Sequence, residues 1–135
     1  MLMAFGTAAE AADNHDKGKI IFIPHDNRPV SDQQAADTIR NLGYEVIVPP
    51  DNMLGGRDFL GDPDALWCWL EEQTGKGKNS DKKKNIKAVV MSADSMIYGS
   101  LVASRKHELP EAKLKERVSR FAAYHKLHPS LPVYV

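Results

Sequence analysis

A parallel α/β sheet is the fold this chain predicts, and three observations carry the prediction. Short apolar runs recur at Lys19 to Pro24, Tyr44 to Val48, Ile86 to Met91 and Leu131 to Val135, with helix-length segments between them. The first and third runs are nearly continuous rather than alternating, the mark of strands covered on both faces. Carboxylates, hydroxyls and guanidinium groups then arrive just past the strands, as they do on the carboxyl rim of parallel sheets. The order β-α-β-α-β-α-β leaves two architectures open: a doubly wound, Rossmann-like sheet, or the first half of a (β/α)8 barrel.

Taken in order, residues 1–18 form a lead-in. Met1 to Ala12 is small and apolar, and Ala9-Glu10-Ala11 has the small-x-small pattern of a signal-peptidase site, so the segment reads as a signal-peptide remnant or a disordered lead-in. The first reading implies export to the periplasm or beyond; without it the chain is cytoplasmic. Residues 19–135 form the α/β portion. Lys19 to Pro24 is the first strand, and His25 to Val30 a polar loop. Ser31 with Gln34 three positions on is a capping-box signature. Ala35, Ala36, Ile39 and Leu42 give the helix that follows its apolar face, and Gly43 sits where a left-handed residue ends it. Tyr44 to Val48 is the second strand, stopped by Pro49-Pro50. A connection without periodicity, Asp51 to Gly61, leads to Asp62-Pro63, a strong helix start. Leu66, Trp69 and Leu70 form that helix's apolar side, and both tryptophans read as core residues. Gly75 to Asn85, with Lys82-Lys83-Lys84, reads as a solvated loop. Ile86 to Met91 is the third strand. Pro110 opens a helix whose apolar positions are Leu114, Val118, Phe121 and Ala122, with His107, His125 and His128 at the surface. Leu131 begins a fourth strand at which the chain stops, which points to a longer protein.

Composition narrows the class. Hydrophobic residues at 42% and charged residues at 27% suit a packed domain rather than a disordered chain. Lys+Arg and Asp+Glu both number 18, so net charge gives no reason to expect nucleic acid as a partner. No run approaches the roughly eighteen apolar residues of a transmembrane helix. A single cysteine, Cys68, rules out an intrachain disulfide framework and a multi-cysteine zinc site. It reads as a buried, inert thiol. Oligomeric state is not legible, and the expected partner is a small-molecule substrate or ligand.

The richest stretch follows the third strand. Ser92, Asp94, Ser95 and Tyr98 arrive within seven positions, Gly99 allows a tight turn, and a small-residue segment ends in Arg105. With His25, Asp26, Asn27, Arg28, Asp51 and Asn52 from the earlier loops, they gather on one rim, where α/β ligands bind.

The same loops carry a family resemblance. Pro24-His25-Asp26-Asn27-Arg28-Pro29-Val30 resembles the Pro-Leu-Asp-x-Arg-Pro-Val-Asn opening of the bacterial family known as domain of unknown function 4127. Pro49-Pro50, Met53-Leu54-Gly55 and Gly61-Asp62-Pro63 leading to Trp69-Leu70 resemble its second block. Ser92 to Arg105 is similar to its Ser-x-Asp-Met-Leu-x-Tyr-Gly-Gly-Leu-x-Ala-Ser-Arg block. His25 stands where that family usually has Leu, Ser31 where it has Asn, Ser100 where it has the second Gly, and Ser95 is an additional polar residue before Met96. The resemblance implies that residues 19–135 are the amino-terminal part of a longer bacterial protein. It strengthens the site more than any one activity.

Three chemistries suit these residues. Asp26 and Asp94, each just past a strand, form a carboxylate pair of the kind that glycoside hydrolysis uses as acid and base or as nucleophile and acid. Alternatively each caps a loop or pairs with Arg28 or Arg105. A divalent metal on Asp26, Asp94, Asp51 and His25 is the second chemistry, and no cofactor is otherwise indicated. Anion recognition by Arg28 and Arg105 is the third. Ser92, Ser95 and Ser100 lack the elbow of a serine hydrolase. The sequence therefore leads to an expected hydrolase acting on carbohydrate or cell-envelope material, with Asp26 and Asp94 catalytic. Arg28, Asn27, Ser95, Tyr98 and Arg105 would hold the substrate. The competing readings are a non-catalytic module that binds a sugar or carboxylate, and a scaffold completed by further chain.

Overall fold

The computed structural model describes residues 17–75 and 85–135. The signal-like segment and the Lys82-Lys83-Lys84 cluster lie outside the described residues. Strands β1 (Lys19–Ile23), β2 (Glu45–Ile47), β3 (Ile86–Met91) and β4 (Val133–Tyr134) form one parallel sheet in the order β2-β1-β3-β4. Between them run α1 (Gln33–Asn41), α2 (Pro63–Thr74), α3 (Leu101–Lys106) and α4 (Glu111–Leu127). Strand order decides between the two expected architectures. In a barrel consecutive strands are neighbours and β1 never meets β3, whereas here β1 pairs with both β2 and β3. The sheet is open and doubly wound. The direction of strand addition reverses beside β1, so a topological switch point falls between β1 and β3.

The core forms where the apolar runs predict. Ile21 and Ile23 of β1, Val89 and Met91 of β3, and Leu66, Trp67 and Leu70 of α2 are buried together with Met96 and Tyr124. Asp62 caps α2 by accepting from the Ala65 amide at 3.0 Å, and Pro63 occupies its first turn. Trp67 joins α2 to α4: its ring meets Phe121 edge-on at 5.0 Å and Tyr124 at 5.9 Å, and its Nε1 donates to the Met96 carbonyl at 3.3 Å. The Tyr124 hydroxyl donates to Thr74 Oγ1 at 2.9 Å, and burial pushes that phenol up to about 12.

Five local expectations are corrected. The Ser31–Gln34 capping box does not form: α1 begins at Gln33 without a side-chain cap, because the Ser31 hydroxyl is bonded to His25 instead. Leu42 is exposed rather than part of the buried face of α1, where Ala36 is the buried residue. On α4 the inward stripe is turned from the expected one. Val118 is exposed, while Leu114, Arg117, Phe121 and Tyr124 face inward, because Tyr124 can satisfy its hydroxyl on Thr74. Cys68 is exposed rather than buried, since Leu66, Trp67, Trp69 and Leu70 take the inward positions of α2. His107 and His125 are at the surface, but His128 is half-buried, its ring 4.7 Å from Tyr124.

Candidate functional site

Three loops meet at the carboxyl ends of β1, β2 and β3, and main-chain hydrogen bonds join them. Ser92 N donates to the Ile23 carbonyl at 2.9 Å and Leu101 N to the His25 carbonyl at 2.9 Å, so the chain segments after β1 and β3 run on together. The β2 loop starts as a 3-10 turn at Asp51–Met53, then joins both: Asn27 N donates to Gly55 O at 3.0 Å, and Gly61 N to Gly99 O at 3.2 Å. Glycine makes this crossing feasible. A methyl group on Gly55 would sit 2.3 Å from Gly99 O, and one on Gly61 would sit 2.5 Å from the same atom. Gly99 also has φ +97°, which closes a π-helical turn, Asp94–Tyr98, in the left-handed region. The small-residue segment after Gly99 is helical, with Ser100 capping α3 by accepting from the Ala103 amide at 3.1 Å.

Asp26 is fully buried at the head of the β1 loop. Its Oδ1 accepts from the Arg28 amide at 3.1 Å, and its Oδ2 accepts from Arg28 Nε at 2.8 Å and Nη2 at 2.6 Å. Burial alone would push this carboxyl up. The Arg28 guanidinium and amide, helped by Ser31 and by the nearby His25 ring, outweigh burial and hold it below the usual range. Arg28 is raised in turn by the same pair, and its side chain stays 43% exposed. His25 Nε2 lies 2.8 Å from Ser31 Oγ and 3.7 Å from Asp26 Oδ2. Serine, histidine and aspartate here are not a proton relay, because the hydroxyl and the carboxylate approach the same ring nitrogen.

Asp94 occupies the matching place on β3. Ile23 and Met91 are paired in register, and Asp26 and Asp94 each lie three residues past that pair. Yet the two carboxylates differ in their surroundings. Asp94 is half-buried, and among the described residues its side chain has no hydrogen-bonding or ionic partner. Ser95 is fully buried and donates to the Pro24 carbonyl at 2.5 Å, which makes it a tie between the loops. Ser95→Ala is expected to cost about 1–2 kcal/mol of stability, the usual price of an unmet buried acceptor, read by urea denaturation. Among the described residues no cluster of three His, Cys, Asp or Glu side chains could hold a metal ion.

Tyr98 and Arg105 lie elsewhere. Tyr98 turns from the Asp26 cluster toward His107, with ring centroids 4.7 Å apart. It lines a cleft of about 700 Å³ bounded by residues 56–61, the α3 region and Arg117 of α4. That cleft takes in none of Asp26, Asn27, Arg28, Asp94, Ser95 or Arg105. Asn27 borders it, its Oδ1 lying 3.1 Å from where a methyl on the lining residue Gly56 would be. Arg105 is exposed on the last turn of α3. The sequence reading missed Arg57, Lys106 and Arg117 as lining residues. No local pattern marks them, because they meet only once α3 and α4 are packed beside the β2 loop.

A family model described as a protein of unknown function (DUF4127) matches residues 20–135. The chain belongs to this family. The match takes in all three resembling blocks, so Asp26, Arg28, Asp94, Tyr98 and Arg105 all fall within the family's span. No curated protein and no solved structure matches the chain. Among the described residues no helix is long and apolar enough to cross a membrane.

Proposed function

We propose that the chain binds a small polar molecule, a sugar or a carboxylate, at the crevice between the loops that follow β1 and β3. One observation carries this reading. At the switch point of an open parallel sheet, Arg28 is fixed along one edge by a buried aspartate while its side chain stays partly exposed, and Asp94 is left unpaired among the described residues. A pre-oriented guanidinium on the loop after β1 and an unpaired carboxylate on the loop after the neighbouring β3 can receive one acceptor group and one hydroxyl of the same ligand. Asp26 in this reading acts through Arg28 and leaves contact with the ligand to it.

The unpaired state of Asp94 favours a second reading, a hydrolase acting on carbohydrate or cell-envelope material. Asp94 would then be the reacting carboxylate. Asp26, enclosed and held ionised by Arg28, is unsuited to donate a proton, so its part would be to position that arginine. Export of the protein belongs to the same proposal and is supported by the small-x-small pattern at Ala9 to Ala11.

The test is a thermal-shift screen with monosaccharides, amino sugars and short carboxylates, followed by Arg28→Ala and Asp94→Asn. A ligand at about a hundred times its Kd stabilises by about 2.7 kcal/mol. The expected result is a hit lost in Arg28→Ala. If Asp94→Asn keeps that binding but stops turnover, the hydrolase reading stands; if the wild-type chain shows no turnover, the chain is a binder. A hit unchanged in both variants would place the ligand elsewhere and sink both readings.

A further inference from the structure

The cleft lined by Tyr98 takes in none of the crevice groups, and it has a chemistry of its own. Its volume, about 700 Å³, is that of a small-molecule pocket. Phe59, Leu60, Val102 and Leu109 supply apolar wall, and the Tyr98–His107 ring pair supplies a flat one. Phe59 and Leu60 are 54% and 72% exposed, large apolar surface at the mouth of a concavity.

Charge on this wall is unbalanced and unmatched. Arg57, Lys106 and Arg117 line it together with Asp58 and Glu108, so cationic side chains outnumber carboxylates by one. Among the described residues, neither Arg57 nor Lys106 is ion-paired, although both carboxylates line the same cleft. Arg117 donates its Nη1 to the Ile97 carbonyl at 2.5 Å, and its Nε is buried with no acceptor among the described residues.

We infer that this cleft binds a small organic acid, with its carboxylate or phosphate on Arg57, Lys106 and Arg117. The planar or apolar body lies against Phe59 and the Tyr98–His107 pair. The acid satisfies the unpaired cations, and the body covers surface that is otherwise left to water. This site is separate from the crevice reading and does not depend on it.

The experiment is calorimetric titration of the full chain with benzoate, phenyl phosphate and the neutral analogue benzyl alcohol. The same titrations are made on Arg57→Ala/Lys106→Ala and on Lys115→Ala, a control on the exposed side of α4. At least one acid is expected to bind saturably, and benzyl alcohol to bind at least about tenfold more weakly, since a charge-assisted hydrogen bond is worth that factor or more. The double variant should lose about tenfold or more for the acid, and the control should match wild type. Preference for benzoate or for phenyl phosphate assigns the acidic group. The inference is overturned if neither acid binds, if benzyl alcohol binds equally well, or if the double variant binds as wild type does.

Discussion

Gly55→Ala is expected to destabilise the fold by about 2–4 kcal/mol, at the upper end of what overpacking a single methyl costs. The added carbon would stand 2.3 Å from Gly99 O and 2.7 Å from Gly61 N, both main-chain atoms, with Ser100 Cβ also at 2.7 Å. None of these can rotate away. Relief requires moving the β2 loop off the turn that follows β3, which also breaks the Asn27–Gly55 and Gly61–Gly99 hydrogen bonds. Gly56→Ala is the internal control. Its methyl would meet the Phe59 ring at 2.5 Å, and that side chain is 54% exposed and free to swing outward. A cost of about 1 kcal/mol or less is expected there. Urea unfolding followed by the fluorescence of Trp67 and Trp69 reads both. Equal midpoints for the two variants would mean that the glycine crossing does not hold the three loops together.

That crossing also marks what the chain does and does not disclose before it is folded. The Ile86 to Met91 strand has the same bounds in sequence and in structure, because its apolar residues, Ile86 and Ala88 to Met91, are all buried or half-buried and Lys87 alone is exposed. Asp62-Pro63 gave the start of α2 for an equally local reason, the capping carboxylate and the missing proline N–H. Barrel against open sheet could not be read, since it depends on which strands lie side by side, and β1–β3 pairing is set by packing across the whole sheet. The site behaves likewise. Asp26, Arg28, Asp94 and Ser95 were legible as polar residues just past strands, but their unlike surroundings were not. Which carboxylate is enclosed depends on where Arg28 turns, and Ser95 proved to be a tie between loops rather than a group facing the rim. His25 and Ser31 each drew notice as departures from a pattern. Only the fold shows that they contact each other, and that this contact is what removes the cap from α1.

Asp26→Asn is expected to cost about 2–3 kcal/mol at neutral pH and much less in acid. The amide keeps the volume but turns a donor or a neutral oxygen toward Arg28 Nε and Nη2 from a side chain that is itself fully buried. Full loss of a buried pair would cost more, yet Arg28 is 43% exposed, and solvent compensates that half of the interaction. The pH dependence follows from the direction of the shift. A carboxyl held lower in the folded than in the unfolded chain contributes its full stabilisation above the unfolded value, about 3.9, and loses it as pH falls through the folded one. Wild type should therefore lose stability below about pH 4, and the Asn variant should lose less over the same range, so that the two curves converge. Asp64 and Glu116 are also lowered, by arginine and lysine partners, and keep some acid sensitivity in both proteins. Asp32 runs the other way, raised by burial and by Asp51, so acid relieves it. Urea midpoints measured from about pH 7 down to about pH 3 separate these contributions. A gap between wild type and Asp26→Asn that stays constant across that range would mean that the Asp26 carboxylate is not held ionised by Arg28. The crevice would then lose the fixed guanidinium on which its recognition of a ligand depends.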